Sequence, residues 1–583
     1  MLTARQIFTR TSRGGLNRTI ANGSGSGKPR TYATSPKEFK LPPTIKQLLD
    51  VGSSGQAGPS SKAAEETTTT VCGWIKSIRK QKNVAFAVLT DGSEDRGLQA
   101  VLLREGAEDG ILRRLTNGTA VQLRGKLVES PGKGQSHELV VDEKEAGAIV
   151  VLGECDPESY PIQKKTLTPE YLRDHTHLRP RTTQIASMLR LRHTLNRRLS
   201  GWMDDEGFTS VQTPVVTGND AEGAGEVFSV NVAGQSSPSS PSSSTTQSSE
   251  AAPPEPEEFF GRPAFLTVSH QLHLEAFATA LSRVWTLSPC FRAEPSLTRR
   301  HLAEFWMLEA EWAFTHVGEG RPVDGVCNVV EAMLRGVVGP LLHASSSSTP
   351  QEALADPDVA ALWSYTTPSA LTSPEQKKKE MEVLRRAFAS EKWWPRLSYT
   401  QAVAILRRAA RLPAEEEGEI PVEGVETPKK RVKFEFEPRW GAPLQAEHEK
   451  YLAEVVFGSP VFVCDYPRTL KPFYMKVNEG GVGERETVAC FDLLVPYIGE
   501  LVGGSVREER VEVLRESMVR AGLVGAEEGS DEAWQWYLDL RQYGGAPHAG
   551  FGMGFERLVA WVGGVENVRE CVGMPRWAGR MLL

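Results

Sequence analysis

"SPCFRAEPSLTRRHLAEFWMLEAEWAF", Ser288 to Phe314, sets Arg292, Glu294, Arg299, Arg300, His301, Glu304, Glu309 and Glu311 among bulky aromatic residues. Its pattern predicts two strands, "PCFRAE" and "AEFWMLEAEWAF", joined by a polar, arginine-rich loop. Such a hairpin offers fixed guanidinium groups to a polyphosphate and a row of carboxylates to a cation or an amide. A salt-bridged sheet face would account for any one of these residues, but poorly for the whole constellation.

Moving upstream, Ile185, Met188, Leu191, Leu195, Leu199 and Trp202 recur at helical spacing from about Thr183, and Gly207 ends the helix. Before it, from about Thr69 to Ala148, apolar alternation dominates in "VCGWIKSIRKQKNVAFAVLTDG", "GLQAVLL", "TAVQLRGKLV" and "HELVVDEKEA". Five or so short strands separated by Gly, Asp and Asn turns predict a small barrel. Residues 41–68 read as a linker and 151–182 as a hinge, with the larger domain running from 183 to 583. Three stretches in that domain, 235–258, 344–350 and 413–430, are Ser/Pro- or Glu/Pro/Gly-rich and read as insertions that cannot bury enough apolar surface to offset ordering.

The first 40 residues differ from the rest: Arg5, Arg10, Arg13, Arg18, Lys28, Arg30 and Lys37 all precede the first acid, Glu38, with Ser, Thr and Gly between. That composition is expected of a mitochondrial transit peptide, and Arg30-Thr31-Tyr32-Ala33 resembles a matrix-protease cleavage pattern. The expected compartment is the mitochondrial matrix. At 583 residues and 64.0 kDa the chain is too long for one core. A net charge of -7 argues against a protein that coats nucleic acid, DNA included, through its phosphates, but leaves a local RNA-binding patch open. Seven scattered cysteines without a CxxC pair disfavour a zinc site or a disulfide framework. No membrane partner is expected, since no run reads as a membrane span.

Three segments in order resemble the class II aminoacyl-tRNA synthetases. Arg292, Glu294, His301, Glu304 and Phe305 match motif 2; "GFGMGFERLVAW", Gly550 to Trp561, matches motif 3, a strand followed by a helix carrying Arg557. "GFTSVQTPVV", Gly207 to Val216, matches motif 1, with Pro214 where the family has its dimer-interface proline. The resemblance covers roughly residues 70 to 583 apart from the insertions. It implies an α+β fold: an N-terminal OB-fold β-barrel over 69–150 and a catalytic domain on an antiparallel β-sheet flanked by helices. The N-terminal barrel marks the aspartyl, asparaginyl and lysyl subgroup, and it suits an anticodon loop with splayed bases. On this resemblance Phe86 stacks on the central anticodon uridine, with Arg79 and Gln99 beside it, although spacing alone would favour barrel core for Phe86.

Aspartate and asparagine are nearly isosteric, so a few polar groups must separate them: aspartate only accepts, whereas an amide needs one donor and one acceptor. In "LTVSHQLHLEAF" the aspartyl enzymes would carry lysine at the position of Leu274. The resemblance implies that Arg507 donates to the side-chain carbonyl of L-asparagine and Glu309 accepts from its NH2, while repelling aspartate. Glu222 and Gln271 would hold the ammonium, with Ser269 in the same pocket. Asp492 and Glu500 would bind Mg2+. For ATP, Arg292 clamps the α-phosphate, Arg557 and His301 meet the γ-phosphate, Phe305 stacks on adenine, and Glu294, Arg300 and Glu500 complete the site. Arg292, Arg557 and Glu294 form the expected catalytic group. The partners implied are tRNA(Asn), L-asparagine and a second copy of the chain.

The rival readings are a relaxed aspartyl enzyme, against which Leu274 and Glu309 speak, and an RNA-binding paralogue without catalysis, which would have lost motif arginines that are present here. An asparagine-synthesising relative would lack the anticodon barrel. His270 and Cys290 lie inside active-site segments, where sequence alone does not separate packing from contact.

Overall fold

The computed structural model describes residues 41–583 except 54–67, 104–109, 133–134, 219–226, 233–258, 296–297, 316–320, 344–355, 366–371, 413–429, 481–482 and 526–532. Glu222, the expected transit segment and nearly all of the three insertions lie outside the described residues.

Six strands build the N-terminal barrel: β1 (Thr68–Lys80), β2 (Val84–Thr90), β3 (Leu98–Leu103), β4 (Ala120–Glu129), β5 (His137–Asp142) and β6 (Ile149–Gly153). They pair in the order β1-β2-β3-β5-β4-β6, and a β1–β4 pairing closes the ring. One strand serves two neighbours because β1 is 13 residues long and bulged between Ile75 and Ser77, so its first half pairs with β4 and its second with β2. Side chains alternate across the strands, and Val71, Ile75, Ala85, Ala87, Leu89, Leu98, Ala100, Leu102, Val121, Leu123, Leu139 and Val141 fill the interior.

The expected linker at 41–68 contains a helix, Ile45–Ser53. Ile45 is buried in the barrel core with Leu48 and Leu49 packed against it, and its N–H donates to Asp91 Oδ2 at 2.8 Å. Three apolar residues on one turn-and-a-half were too few to show as periodicity. Within the expected hinge, Thr168 caps the helix Pro169–Asp174, and the fully buried Arg179 donates to the carbonyls of Arg569, Val572 and Gly573. This guanidinium ties the segment to the C-terminal end of the catalytic domain.

Ten further strands follow among the described residues: β7 (Thr209–Ser210), β8 (Val216–Thr217), β9 (Phe265–Leu266), β10 (Arg283–Phe291), β11 (Glu304–Ala313), β12 (Arg396–Ser398), β13 (Val461–Cys464), β14 (Cys490–Val495), β15 (Gly499–Val506) and β16 (His548–Gly554). Eight of them form one sheet in the order β12-β13-β14-β15-β16-β11-β10-β7. Its centre is antiparallel as expected, but both edges differ, since β7–β10 and β12–β13 are parallel. The first hairpin strand begins earlier than the pattern predicts and ends at Phe291, so Arg292 and Glu294 stand in the loop beyond it.

Alternation gives the sheet two unlike faces. Leu308, Ala310, Trp312, Phe491, Leu493, Val502, Phe551 and Met553 point into the main core. There they meet the helices Thr183–Asp205, Pro322–Leu342 and Phe555–Gly563, which contribute Leu191, Leu195, Val330, Leu334, Leu558 and Val559 among others. Thr182 caps the first of these by accepting from Ile185 N. Contrary to the sequence reading, Pro322–Leu342 is long and apolar enough to cross a membrane, yet its apolar residues line this core.

Candidate active site

The opposite sheet face carries the polar residues. Register places Thr286, Glu309, Gly552, Gly503 and Asp492 in one cross-strand row, and Val284, Glu311, Gly550, Ser505 and Cys490 in the next. The three central glycines leave an open floor between carboxylates. At Gly550 this is obligatory: a Cβ would lie 1.9 Å from Glu311 Oε2 and 2.7 Å from Arg507 Nη2.

Glu309 is buried and held by its neighbours. Ser269 Oγ donates to Oε1 at 2.5 Å, and the His270 N–H donates to Oε1 and Oε2 at 3.2 and 2.9 Å. Ser269 Oγ also accepts from Gln271 N at 3.1 Å. Gln271 Nε2 donates to Glu275 Oε1 at 3.0 Å, and that oxygen lies 4.0 Å from Arg507 Nε. Ser269, Gln271, Glu309 and Arg507 thus belong to one connected neighbourhood. Leu274 is buried against Ala278 and Val284, and Val284 stands opposite Glu311.

Arg507 departs from the simple picture of a free donor. It forks onto Glu311 through Nε at 3.0 Å and Nη2 at 2.8 Å, while Nη1 donates to Ser505 Oγ. Of five N–H groups, two remain, one on each terminal nitrogen. Burial works against its charge, but Glu311 and Glu275 hold the guanidinium above its ordinary value. Glu275 in turn accepts from Tyr537 at 2.7 Å and Arg541 at 2.6 Å, and His548 Nε2 lies 3.1 Å from it. The strand alternation of Glu309 and Glu311 was a signal for the second carboxylate; Glu275, Tyr537 and Arg541 had none. His270, Cys290 and Glu309 present ligand-type atoms within 4.8 Å, but both ring nitrogens of His270 are already engaged by Thr213 and Pro289.

Beside this neighbourhood lies a pocket lined by Arg292, Glu294, Arg300, His301, Phe305, Met307, Glu500, Gly552, Gly554 and Arg557. It gathers every residue expected to meet ATP. Arg292 lies over the Phe305 ring at 5.4 Å and 3.9 Å from Glu294, and Glu294 reaches His301 Nε2 at 3.2 Å. Arg557 donates to the Glu500 carbonyl at 2.8 Å, and Arg300 lies 3.6 Å from Glu449. Burial holds the His301 imidazole below its ordinary value, with Glu294 opposing and Arg557, Arg292 and Arg300 reinforcing. Near pH 7 the ring is therefore a neutral hydrogen-bonding group rather than a fourth cation beside Arg292, Arg300 and Arg557.

The expected magnesium pair is close together, each facing Gly503: a Cβ there would be 3.4 Å from Glu500 Oε1 and 3.7 Å from Asp492 Oδ1. Asp492, however, binds Lys471, whose Nζ donates to both carboxylate oxygens at 2.8 Å. Sequence reasoning missed this partner, which arrives from an irregular segment 21 residues away. Burial, with Glu500 adding, pushes the Asp492 carboxyl up against the pull of Lys471; burial and Glu500 likewise push Glu449 up. Burial also opposes ionisation of Glu500, yet Arg557, Lys471 and Arg292 hold its carboxyl below the ordinary value. Three crowded carboxylates fit a hard divalent cation, for which Lys471 is a monovalent counter-charge.

On the barrel, Phe86 does not point inward. Arg79 stands directly opposite it with its guanidinium 5.4 Å from the ring, and Gln99 stands opposite Val88 two residues on. All three share the outer face, where Gln99 Nε2 donates to Glu138 at 3.2 Å. Pro214 is exposed. None of the seven cysteines is joined in a disulfide.

Residues 168–578 match the family of class II tRNA synthetases for D, K and N, and residues 69–146 match the OB-fold nucleic acid binding domain. The chain belongs to this class II tRNA synthetase family. Its similarity to the asparagine enzymes is extensive: it is 40% identical over 517 residues to an asparagine–tRNA ligase of Desulfotalea psychrophila, covering 88% of this chain and 96% of the relative. To the human asparaginyl-tRNA synthetase it is 39% identical over 513 residues, covering 88% and 90%. Among solved structures, asparaginyl-tRNA synthetase from Pyrococcus horikoshii complexed with asparaginyl-adenylate superposes with a TM-score of 0.65 at 26% identity, covering 89% of this chain and 96% of that one.

Proposed function

We infer that the chain is an asparagine–tRNA ligase: it activates L-asparagine with ATP and transfers it to the 3′ end of tRNA(Asn). The observation that carries this is Gly552, which lines the arginine pocket and stands opposite Glu309 in the sheet. A nucleotide on one side and an amide-bearing amino acid on the other would meet across a residue with no side chain.

No protein nucleophile is needed, because the asparagine carboxylate itself attacks the α-phosphorus in line and pyrophosphate leaves. The protein's part is positioning and charge stabilisation. Arg292, stacked on the face of Phe305, takes the α-phosphate; Arg557 and the neutral His301 meet the γ-phosphate; adenine lies against Phe305. Asp492 and Glu500 would hold magnesium, which supplies charge neutralisation at the phosphates. Glu309 accepts from the amide NH2 and disfavours a carboxylate, while a remaining N–H of Arg507 donates to the amide carbonyl. The tRNA 3′-terminal adenosine then attacks the adenylate, releasing AMP. Charging of tRNA with labelled asparagine, and not with aspartate, is the expected result; charging with aspartate alone sinks the assignment.

The outward Phe86, with Arg79 and Gln99, suits an anticodon base stacked on the barrel. Phe86→Ala should raise the KM for tRNA about tenfold or more, as loss of one stacked base predicts. ATP–pyrophosphate exchange should stay unchanged, and an unaltered tRNA KM counts against this face. The basic, acid-free first 37 residues suit delivery to the mitochondrial matrix, and a fluorescent protein fused behind residues 1–40 should enter mitochondria; cytosolic retention argues otherwise. Pro214, at the motif 1 position and exposed, suits a homodimer seam, which sedimentation of the full chain would test.

A further inference from the structure

His270 is fully buried beside the candidate asparagine pocket, and the hydrogen bonds described for its ring go to Thr213 and Pro289, neither of them assigned to substrate. Its Nε2 lies 3.1 Å from the Pro289 carbonyl of β10, and its Nδ1 lies 2.7 Å from Thr213 Oγ1. A carbonyl can only accept, so Nε2 carries the hydrogen; in the neutral ring Nδ1 then accepts from the Thr213 hydroxyl. The imidazole is a strut between two elements, one a sheet strand and the other the segment that continues into Pro214.

The backbone of the same residue does the remaining work. Its N–H reaches both oxygens of Glu309, and the preceding Ser269 hydroxyl takes Oε1. This peptide opens the helix Gln271–Leu281, whose N-terminal end favours a carboxylate. Three hydrogen bonds from this one two-residue segment, with the Cys290 thiol of β10 also 4.0 Å from Oε2, thus fix where Glu309 can present an acceptor. Two residues upstream, the Thr267 backbone bonds to Val215 and Phe291; within the Ser269–His270 segment itself, the His270 ring makes the link to Thr213 and to β10.

We propose that His270 is a positioning residue for amide selection: its imidazole, braced between Thr213 and Pro289, fixes the Ser269–His270 peptide that aims Glu309 at the asparagine side chain. The proposal rests on the reading of Glu309 given above. A small displacement of a positioned group costs substantial affinity for the ligand it reads, while leaving distant subsites intact.

The test is ATP–pyrophosphate exchange by the full-length chain, with the KM for asparagine and for ATP measured separately. His270→Ala should raise the asparagine KM about tenfold and leave the ATP KM within about twofold. His270→Asn, which keeps an acceptor for Thr213, should recover most of that loss. Thr213→Val should reproduce part of it and add nothing to His270→Ala, since both remove one brace. An unchanged asparagine KM in His270→Ala overturns the proposal. So does a parallel rise in both KM values with no recovery by Asn, which marks general loosening. Glu309→Gln separates the two levels: if it leaves asparagine and aspartate discrimination untouched, the amide-reading role of Glu309 fails; if it shifts discrimination while His270→Ala shifts nothing, only the brace fails.

Discussion

Arg292→Ala is expected to reduce ATP–pyrophosphate exchange by at least about a thousandfold, the scale of losing a preorganised cation at a transferring phosphoryl group. The side chain lines the pocket and remains 30% exposed, with Glu294 at 3.9 Å and the Phe305 ring at 5.4 Å. Neither contact is close enough to carry much of the fold, and partly exposed ion pairs contribute little stability. The melting temperature should therefore stay within a degree or two while activity disappears. Exchange at near wild-type rates would remove Arg292 from the chemistry and with it the reading of the pocket.

Glu311→Ala should do the reverse, damaging stability as well as activity. Glu311 and Arg507 are both almost wholly buried and joined through two hydrogen bonds of 3.0 and 2.8 Å. Removing the carboxylate strands a guanidinium in the interior, which costs about 3–5 kcal/mol. Among the described ion pairs Glu275 would remain, at 4.0 Å and already shared among Tyr537, Arg541 and His548. A clear fall in the melting temperature is expected, together with loss of asparagine-dependent exchange because Arg507 no longer keeps its orientation. Glu311→Gln, which retains an acceptor, should be less damaging. An Ala variant that melts with the wild type would show that Arg507 is satisfied some other way.

Much of this site was readable from residue order, because neighbours along a strand or a helix need no tertiary information. Arg292, Glu294, His301 and Phe305 sit within fourteen residues, so a hairpin alone brings them together. Strand alternation put Glu309 and Glu311 on one side and Leu308, Ala310 and Trp312 on the other. The helix from Thr183 was legible in the same way, as one apolar stripe ended by a Gly, while its Thr182 cap came from the structure.

Other features depend on which of two similar choices the folded chain makes. Along β2 both faces are apolar, with Val84, Phe86 and Val88 on one and Ala85, Ala87 and Leu89 on the other. Periodicity cannot choose between them; the narrow interior of a closed barrel does, taking alanines and a leucine and turning the larger Phe86 outward beside Arg79. Partner choice is a second case. Lys471 with Asp492, Glu311 with Arg507 across 196 positions, and Arg541 with Glu275 across 266 are contacts between segments with no pattern in common. Local chemistry, then, named the elements and the charged groups they display, since those follow from side-chain periodicity of one or two turns. Which charges neutralise one another, and which are left for substrate, was decided only when burial made every unpaired ion too costly to leave alone.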